Sequence, residues 1–281
     1  MRAKHRWSRI NVHQSVVAYY SSAKPESGYS AAVRGYAHKI AAALHYEALE
    51  VASPDALPEC VPEISIGLQE AAWPSTRPRL ELKARPYADQ HGQGPSMHPL
   101  TYEALAQVRH DASASMGLVC VANPHWLITD AEMWAQRIEA WAHCNALESL
   151  IVSNSPRTNA LMWEPFVSAL KQALSVAVTF NKCGEKNRYH EALASADAIC
   201  ILGSSRSMAG EVAMSRAAMA YVADDAISEN AFFGDTPATI APRYHRFSET
   251  TPLPNGPFEP HDVTQSYINE ALTQIKQSKA A

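Results

Sequence analysis

The sequence predicts an α/β protein of two domains, each built on a parallel sheet, and three observations carry that prediction. Short apolar runs of strand length alternate with stretches of helical periodicity along most of the chain, the pattern of βα units whose strands are covered on both faces. In the second half, several apolar runs lead directly into polar loops, as at the carboxyl edge of an open sheet. The length of 281 residues, with 47% hydrophobic and 19% charged content, suffices for two cores rather than one.

The elements follow in order. Ser15 to Tyr20 is a strand candidate, a loop with Lys24, Pro25 and Gly28 comes next, and Ala32, Val33, Tyr36, Ile40, Ala43 and Leu44 mark a helix from Tyr29 to Leu44. Tyr46 to Val51 closes a β-α-β start. Pro54 to Pro99 holds a large share of the eighteen prolines and reads mostly as loop, with one strand at Ile64 to Leu68. Regular alternation then returns: a helix at Thr101 to His110, a strand at Gly117 to Val121, a helix at Ala131 to Cys144, a strand at Ser149 to Val152, a helix at Ala160 to Ala173, and a strand at Ser175 to Phe180. The stretch Asn187 to Glu211 contributes an amphipathic turn, an apolar run Ala198 to Leu202 and a hydroxyl-rich loop Gly203 to Ser207 that opens a helix. A strand at Ala218 to Val222 follows, Pro252 to Pro260 interrupts the chain, and Val263 to Lys276 forms a last helix.

Composition excludes several functions. A formal charge of -4 gives no bulk case for nucleic acid. No apolar run approaches the ~20 residues that span a bilayer, and five cysteines without a CxxC pair suit a reducing cytosol. The twelve histidines include no HxxxH or HExxH, so no metal site is expected. The absence of a GxSxG elbow, a P-loop lysine or a GxGxxG fingerprint argues against a hydrolase, an NTPase and an NAD enzyme.

Function is read from the loops. Asn123 to His125, Ser153 to Thr158 and Gly203 to Ser207 each follow a strand, and parallel neighbours would bring them to one edge. The Ser204, Ser205 and Ser207 hydroxyls with a helix start favour a phosphate, and Arg157 could clamp it bidentately. Glu211, one turn further, could accept ribose hydroxyls. Each residue has a plainer alternative. Ser205 or Ser207 could simply cap the helix, although a capping box does not reach Glu211. Arg157 could be a solvated loop charge. His125 could act as acid or base, or just face solvent. Trp126, Trp134 and Trp141 read as core or interface rather than a sugar platform.

These residues carry a resemblance to the elongated-mitochondria (mitochondrial-fission type) family of predicted nucleoside-diphosphate-sugar enzymes, which is similar in turn to GT-B glycosyltransferases. Ser155-Pro-Arg157-Thr158 resembles the family's Ser-Arg-Arg-Thr-Pro loop, with the first Arg and the Pro lost. Asn187-Arg-Tyr189 resembles its Asn-Pro-Tyr, and Leu193 with Ala196-Asp197 its following Leu and Ala-Asp. Ser204-Ser205-Arg-Ser207-Met208-Ala-Gly-Glu211 resembles its Asp-Ser-x-Ser-Met-x-x-Glu, with Ser204 in place of Asp. Gly28, Gly35, Ala37 and Leu44 align with its opening, and Met97-His98, Thr101 and Leu105 with its linker.

The resemblance implies a GT-B-like α/β fold of two Rossmann-like domains with parallel sheets, the N-terminal one shortened. Residues 1–110 would form an acceptor-side domain, 111–260 a nucleotide-sugar-binding domain, and 261–281 a helix packing back across both. The implied activity is glycosyl transfer from a nucleotide-sugar to a cell-envelope glycan or lipid acceptor, without metal or cofactor, in the cytoplasm or peripheral to the inner face of the membrane. Ser155, Arg157, Thr158, Ser204, Ser205 and Ser207 would hold the diphosphate, Glu211 the ribose, Asn187 with Tyr189 would border the base, and Met208 counts among the residues of the same nucleotide-sugar site. His98, His125 and Lys24 are the candidates for a catalytic base. Two alternatives stand beside this: a non-catalytic nucleotide-sugar-binding or scaffold protein, and a nucleotide-sugar 2-epimerase.

Overall fold

The structure is a computed structural model and describes residues 16–19, 28–50, 64–68, 79–82, 115–182, 189–236 and 238–261, with isolated helical positions at Asn269, Leu272, Thr273, Lys276 and Gln277. It divides into two compact units. The first contains β1 (Val16–Tyr19), α1 (Gly28–Leu44), β2 (Glu47–Glu50), β3 (Ile64–Leu68) and β4 (Arg79–Leu82). Its strands lie in the order β2-β1-β3-β4 and all pair in parallel. Helix α1 buries Ala37, Ile40 and Ala41, spaced to lie on one side, while Val17 and Tyr19 are buried on β1. The chain leaves α1 through His45, at φ 56. Strand β4 corrects the expectation of loop there: Arg79-Leu-Glu-Leu82 alternates over four residues only, too short to stand out among the prolines. The expected helix at Thr101 to His110 lies outside the described residues.

The second unit is built from β5 (Met116–Val121), α2 (Leu127–Cys144), β6 (Ser149–Asn154), α3 (Ala160–Ala173), β7 (Ala177–Asn181), α4 (Tyr189–Ser195), β8 (Ala198–Leu202), α5 (Arg206–Met214), β9 (Ala218–Val222), α6 (Ala226–Asp235), a 3-10 turn (Ala241–Arg243) and β10 (Tyr244–Arg246). All six strands are parallel, in the order β10-β9-β8-β5-β6-β7. This is the doubly wound order of a Rossmann-type sheet, in which the winding reverses between the first and fourth strands of the unit, β5 and β8. Two parallel α/β units agree with the expected fold class.

The alternation of side chains on β5 shows how the layers form. Val119 and Val121 face α2 and α3, where Trp134, Ile138, Trp141, Phe166 and Leu170 fill one core. Leu118 and Cys120 face the opposite layer with Tyr189 and Leu193 of α4, Val212 and Ala213 of α5 and Phe232 of α6. Strand β8 is buried at every position, which explains its unbroken apolar run. Each fully buried Val, Leu or Ile contributes about 1.5–3 kcal/mol, so the central strands anchor the unit.

Three features depart from the sequence expectation. Helix α2 begins at Leu127, four residues earlier than expected, and carries a kink at Asp130 (φ -117, ψ 25) where its first turn joins the main body. Helix α6 and strand β10 have no counterpart among the expected elements. Asp225 caps α6 by accepting from the Ser228 N–H at 2.7 Å, and β10 has three residues that pair only with β9. Beyond β10, Phe247 and Leu253 pack on the α2 side of the sheet, and the Leu253 N–H donates to Asn145 Oδ1 at 2.8 Å. No described helix is long and apolar enough to cross a membrane.

Candidate functional site

Parallel pairing brings the carboxyl ends of β6, β5, β8 and β9 side by side, so their loops share one edge. The switch point between β5 and β8 lies in the middle of it. Here the loops are in close contact. The Ala122 N–H donates to the Leu202 carbonyl at 2.9 Å, and the Gly203 N–H to the Val222 carbonyl at 2.8 Å. Gly203 has φ +92, and a Cβ there would stand 2.9 Å from Pro124 Cδ and 3.2 Å from the Asn123 nitrogen. Only glycine meets both demands.

Ser205 is the N-cap of α5: its backbone is extended (φ -134, ψ 95) and its Oγ accepts from the Met208 N–H at 3.4 Å. The same Oγ accepts from Arg157 Nη2 at 3.4 Å. Arg157 leaves the loop after β6 and reaches the loop after β8, spanning the end of β5, a crossing of two strand spacings or about 10 Å. Arg157 is exposed and has no carboxylate partner among the described residues. An uncompensated cation and the positive end of a helix thus meet at the switch point.

Ser155 and Thr158 lie beside Arg157, but their hydroxyls are engaged by the fold. Ser155 Oγ lies 3.0 Å from the Ala122 carbonyl, and Thr158 Oγ1 lies 2.7 Å and 2.6 Å from the carbonyls of Val121 and Ala122. The Ser155 N–H donates to Thr158 Oγ1 at 2.8 Å, and the Arg157 N–H to Ser155 Oγ at 3.2 Å. These bonds fasten the β6 loop to the end of β5 and aim Arg157. Ser204 is tied to Asp224 by a reciprocal pair: its N–H donates to Asp224 Oδ2 at 3.4 Å, and the Asp224 N–H donates to Ser204 Oγ at 3.2 Å. Met208 is core, 8% exposed.

Glu211 and Tyr189 come together, though not on the open edge. Tyr189 begins α4 and donates its hydroxyl to Glu211 Oε2 at 2.5 Å, with both residues buried. The carboxyl expected to take ribose hydroxyls accepts a tyrosine hydroxyl here. Burial pushes Glu211 up to about 7, opposed by the Tyr189 hydrogen bond and by His190. Tyr189 is held well above its ordinary value by burial, then by Glu211 and Cys120, and the Cys120 thiol is raised by burial first and then by Glu211. His125 is exposed in the loop after β5, and its carbonyl accepts from the Ile128 N–H at 3.1 Å. Lys24, His98 and Asn187 lie outside the described residues, as does the side chain of Ser207, whose backbone is in the first turn of α5.

Two features of this edge have no counterpart among the expected site residues: Asp224, and the buried pair in which Asn181 Nδ2 donates to Ser153 Oγ at 3.0 Å. Asp224 follows β9 directly, so the rule that locates the other loops also locates it. No group of three His, Cys, Asp or Glu residues among those described is arranged to hold a metal ion.

An open doubly wound sheet with a cation and a helix start at its switch point defines the class: an α/β protein whose second unit is of the Rossmann type. Residues 94–228, just under half of the chain, match the family model described as Mitochondrial fission ELM1. The matched stretch includes Arg157, Ser205, Tyr189, Glu211 and Asp224, and agrees with the resemblance carried by the loop motifs. No match is found among curated proteins.

Proposed function

We propose that the second unit binds the diphosphate of a nucleotide-sugar at the start of α5, and that the reaction it serves is transfer of the sugar. The observation that supports this most directly is the position of Arg157, an exposed guanidinium without a carboxylate partner among the described residues, touching the N-cap hydroxyl of α5 across the sheet's switch point. A guanidinium matches two phosphate oxygens at once and keeps its charge at every working pH. The backbone N–H groups of the first helical turn supply further donors on the same side.

Sugar transfer breaks the bond between the anomeric carbon and the diphosphate, so negative charge grows on the departing oxygen. Arg157 and the start of α5 are preorganised for that charge, and stabilise it more as it develops. Ser155 and Thr158 act one step back: they fix the loop, so that Arg157 loses little further freedom on binding. The acceptor oxygen bonds to the anomeric carbon as the nucleoside diphosphate leaves, and the acceptor's proton passes to solvent. A glycan or lipid hydroxyl is the acceptor class we propose.

A thermal-shift panel of UDP-, GDP-, ADP- and CMP-sugars tests this. A ligand present at a hundred times its dissociation constant stabilises by about 2.7 kcal/mol, which raises the melting temperature by several degrees. A saturable shift with one nucleotide-sugar is expected. A flat response to the whole panel contradicts the proposal.

A further inference from the structure

Glu211 follows the first residue of α5 by five positions, about 7.5 Å along the axis at 1.5 Å per residue. It is 6% exposed. The described titratable groups facing this region include Tyr189 and His190 from α4 and Cys120 from β5, with the Tyr244 hydroxyl reaching α5 at the Ala209 carbonyl from β10. An acid is therefore enclosed on the same helix whose start faces the switch point.

Resting on the nucleotide-sugar reading above, we propose that occupation of the anion site at the start of α5 draws a proton onto the Tyr189–Glu211 pair. The site then holds its anion more tightly at and below neutral pH than above it. An ionised Glu211 and a bound diphosphate are like charges separated by about 8 to 10 Å; at an effective dielectric near 20 each unit of diphosphate charge left unneutralised repels the carboxylate enough to change affinity roughly 20-fold. Taking up a proton removes that repulsion. The proton comes from solvent and converts the carboxylate to the acid, with no other bond changed. Because burial raises Glu211 to about 7, both forms are present near neutral pH and proton uptake relieves the repulsion. The bound state has the higher midpoint, so affinity is greatest below about pH 7 and declines as pH rises from there through the bound midpoint.

The experiment is calorimetric titration with UDP-glucose and GDP-mannose at pH 7 in two buffers of different ionisation heat. Their diphosphates are diesters and lack the terminal-phosphate ionisation near pH 6, so the probe keeps its charge. The expected result is a net uptake of about half a proton per site in the wild-type protein and near zero in Glu211→Gln. In Tyr189→Phe the carboxylate loses a stabilising hydrogen bond, so the free protein already carries the proton at pH 7; uptake falls there and returns at pH 8. This variant carries the test if Glu211→Gln does not bind. Binding without uptake, binding with proton release, or uptake retained in Glu211→Gln overturns the proposal and leaves the nucleotide-sugar reading intact. No binding heat with either sugar nucleotide at any pH contradicts that reading for these donors and takes the proposal with it.

Discussion

Arg157 and Gly203 show how single residues set the site. Around Arg157 the Ser155 and Thr158 hydroxyls take the carbonyls at the end of β5, and the guanidinium is carried across to Ser205. Gly203 permits the loops of β5 and β8 to touch. Gly203→Ala forces an L side chain into φ +92 with its Cβ 2.9 Å from Pro124, so we expect a loss of about 1–3 kcal/mol in urea unfolding; a loss of only a few tenths would mean that the two loops part easily. Ser205→Ala removes the cap of α5 and should cost about 1 kcal/mol in the same measurement, with Ser205→Gly costing only a few tenths.

Among the elements, helix α5 links the site to the core. It is held at its start by Ser205 and at its end by Arg243, which is buried and donates from Nη1 to the carbonyls of Ala213 and Ser215, each at 2.9 Å, and from Nη2 to the Glu259 carbonyl. A cation there satisfies carbonyls that a helix otherwise leaves bare and complements the dipole. Arg243→Ala should therefore destabilise by about 3 kcal/mol or more, since several buried acceptors lose their donor together. Glu211 gives the helix a pH dependence. Its folded value, about 7, lies above the ordinary 4.5, so its contribution to stability is full below pH 4.5, shrinks as pH rises, and is gone once pH has passed through 7. The loss reaches roughly 3 kcal/mol, because each pH unit separating the two values is worth about 1.36 kcal/mol. Unfolding free energies of wild type should decline relative to Glu211→Gln from about pH 4.5 to about pH 7.5 and run parallel above that; curves that stay parallel throughout would show that the carboxyl is better solvated than its surroundings suggest.

Over the whole molecule, the sheet order of the second unit decides which loops can cooperate. The order itself was not legible, but the central place of two strands was: β5 and β8 are buried along nearly their whole length, and their apolar runs announce it. The ends of the unit were not. Helix α6 exposes Ile227 by 83% and buries Phe232 beside a half-buried Phe233, so its apolar residues form no clean stripe. Strand β10 is Tyr-His-Arg, recognisable only through its pairing with β9. For the site, the positions of Arg157 and the serine loop followed from loops succeeding strands. What the hydroxyls of Ser155 and Thr158 bind, and that Glu211 meets Tyr189, depends on partners 22 to 37 residues away, which no local pattern encodes. The family match over residues 94–228 spans the described residues of this edge. Arg157 and the start of α5 together grip a diphosphate, on the function proposed above. Calorimetric affinity for the stabilising nucleotide-sugar in wild type and Arg157→Ala tests this most directly: the expected loss is about 1.5–3 kcal/mol, a charge-assisted bond's worth, and equal affinity in the two proteins would contradict it.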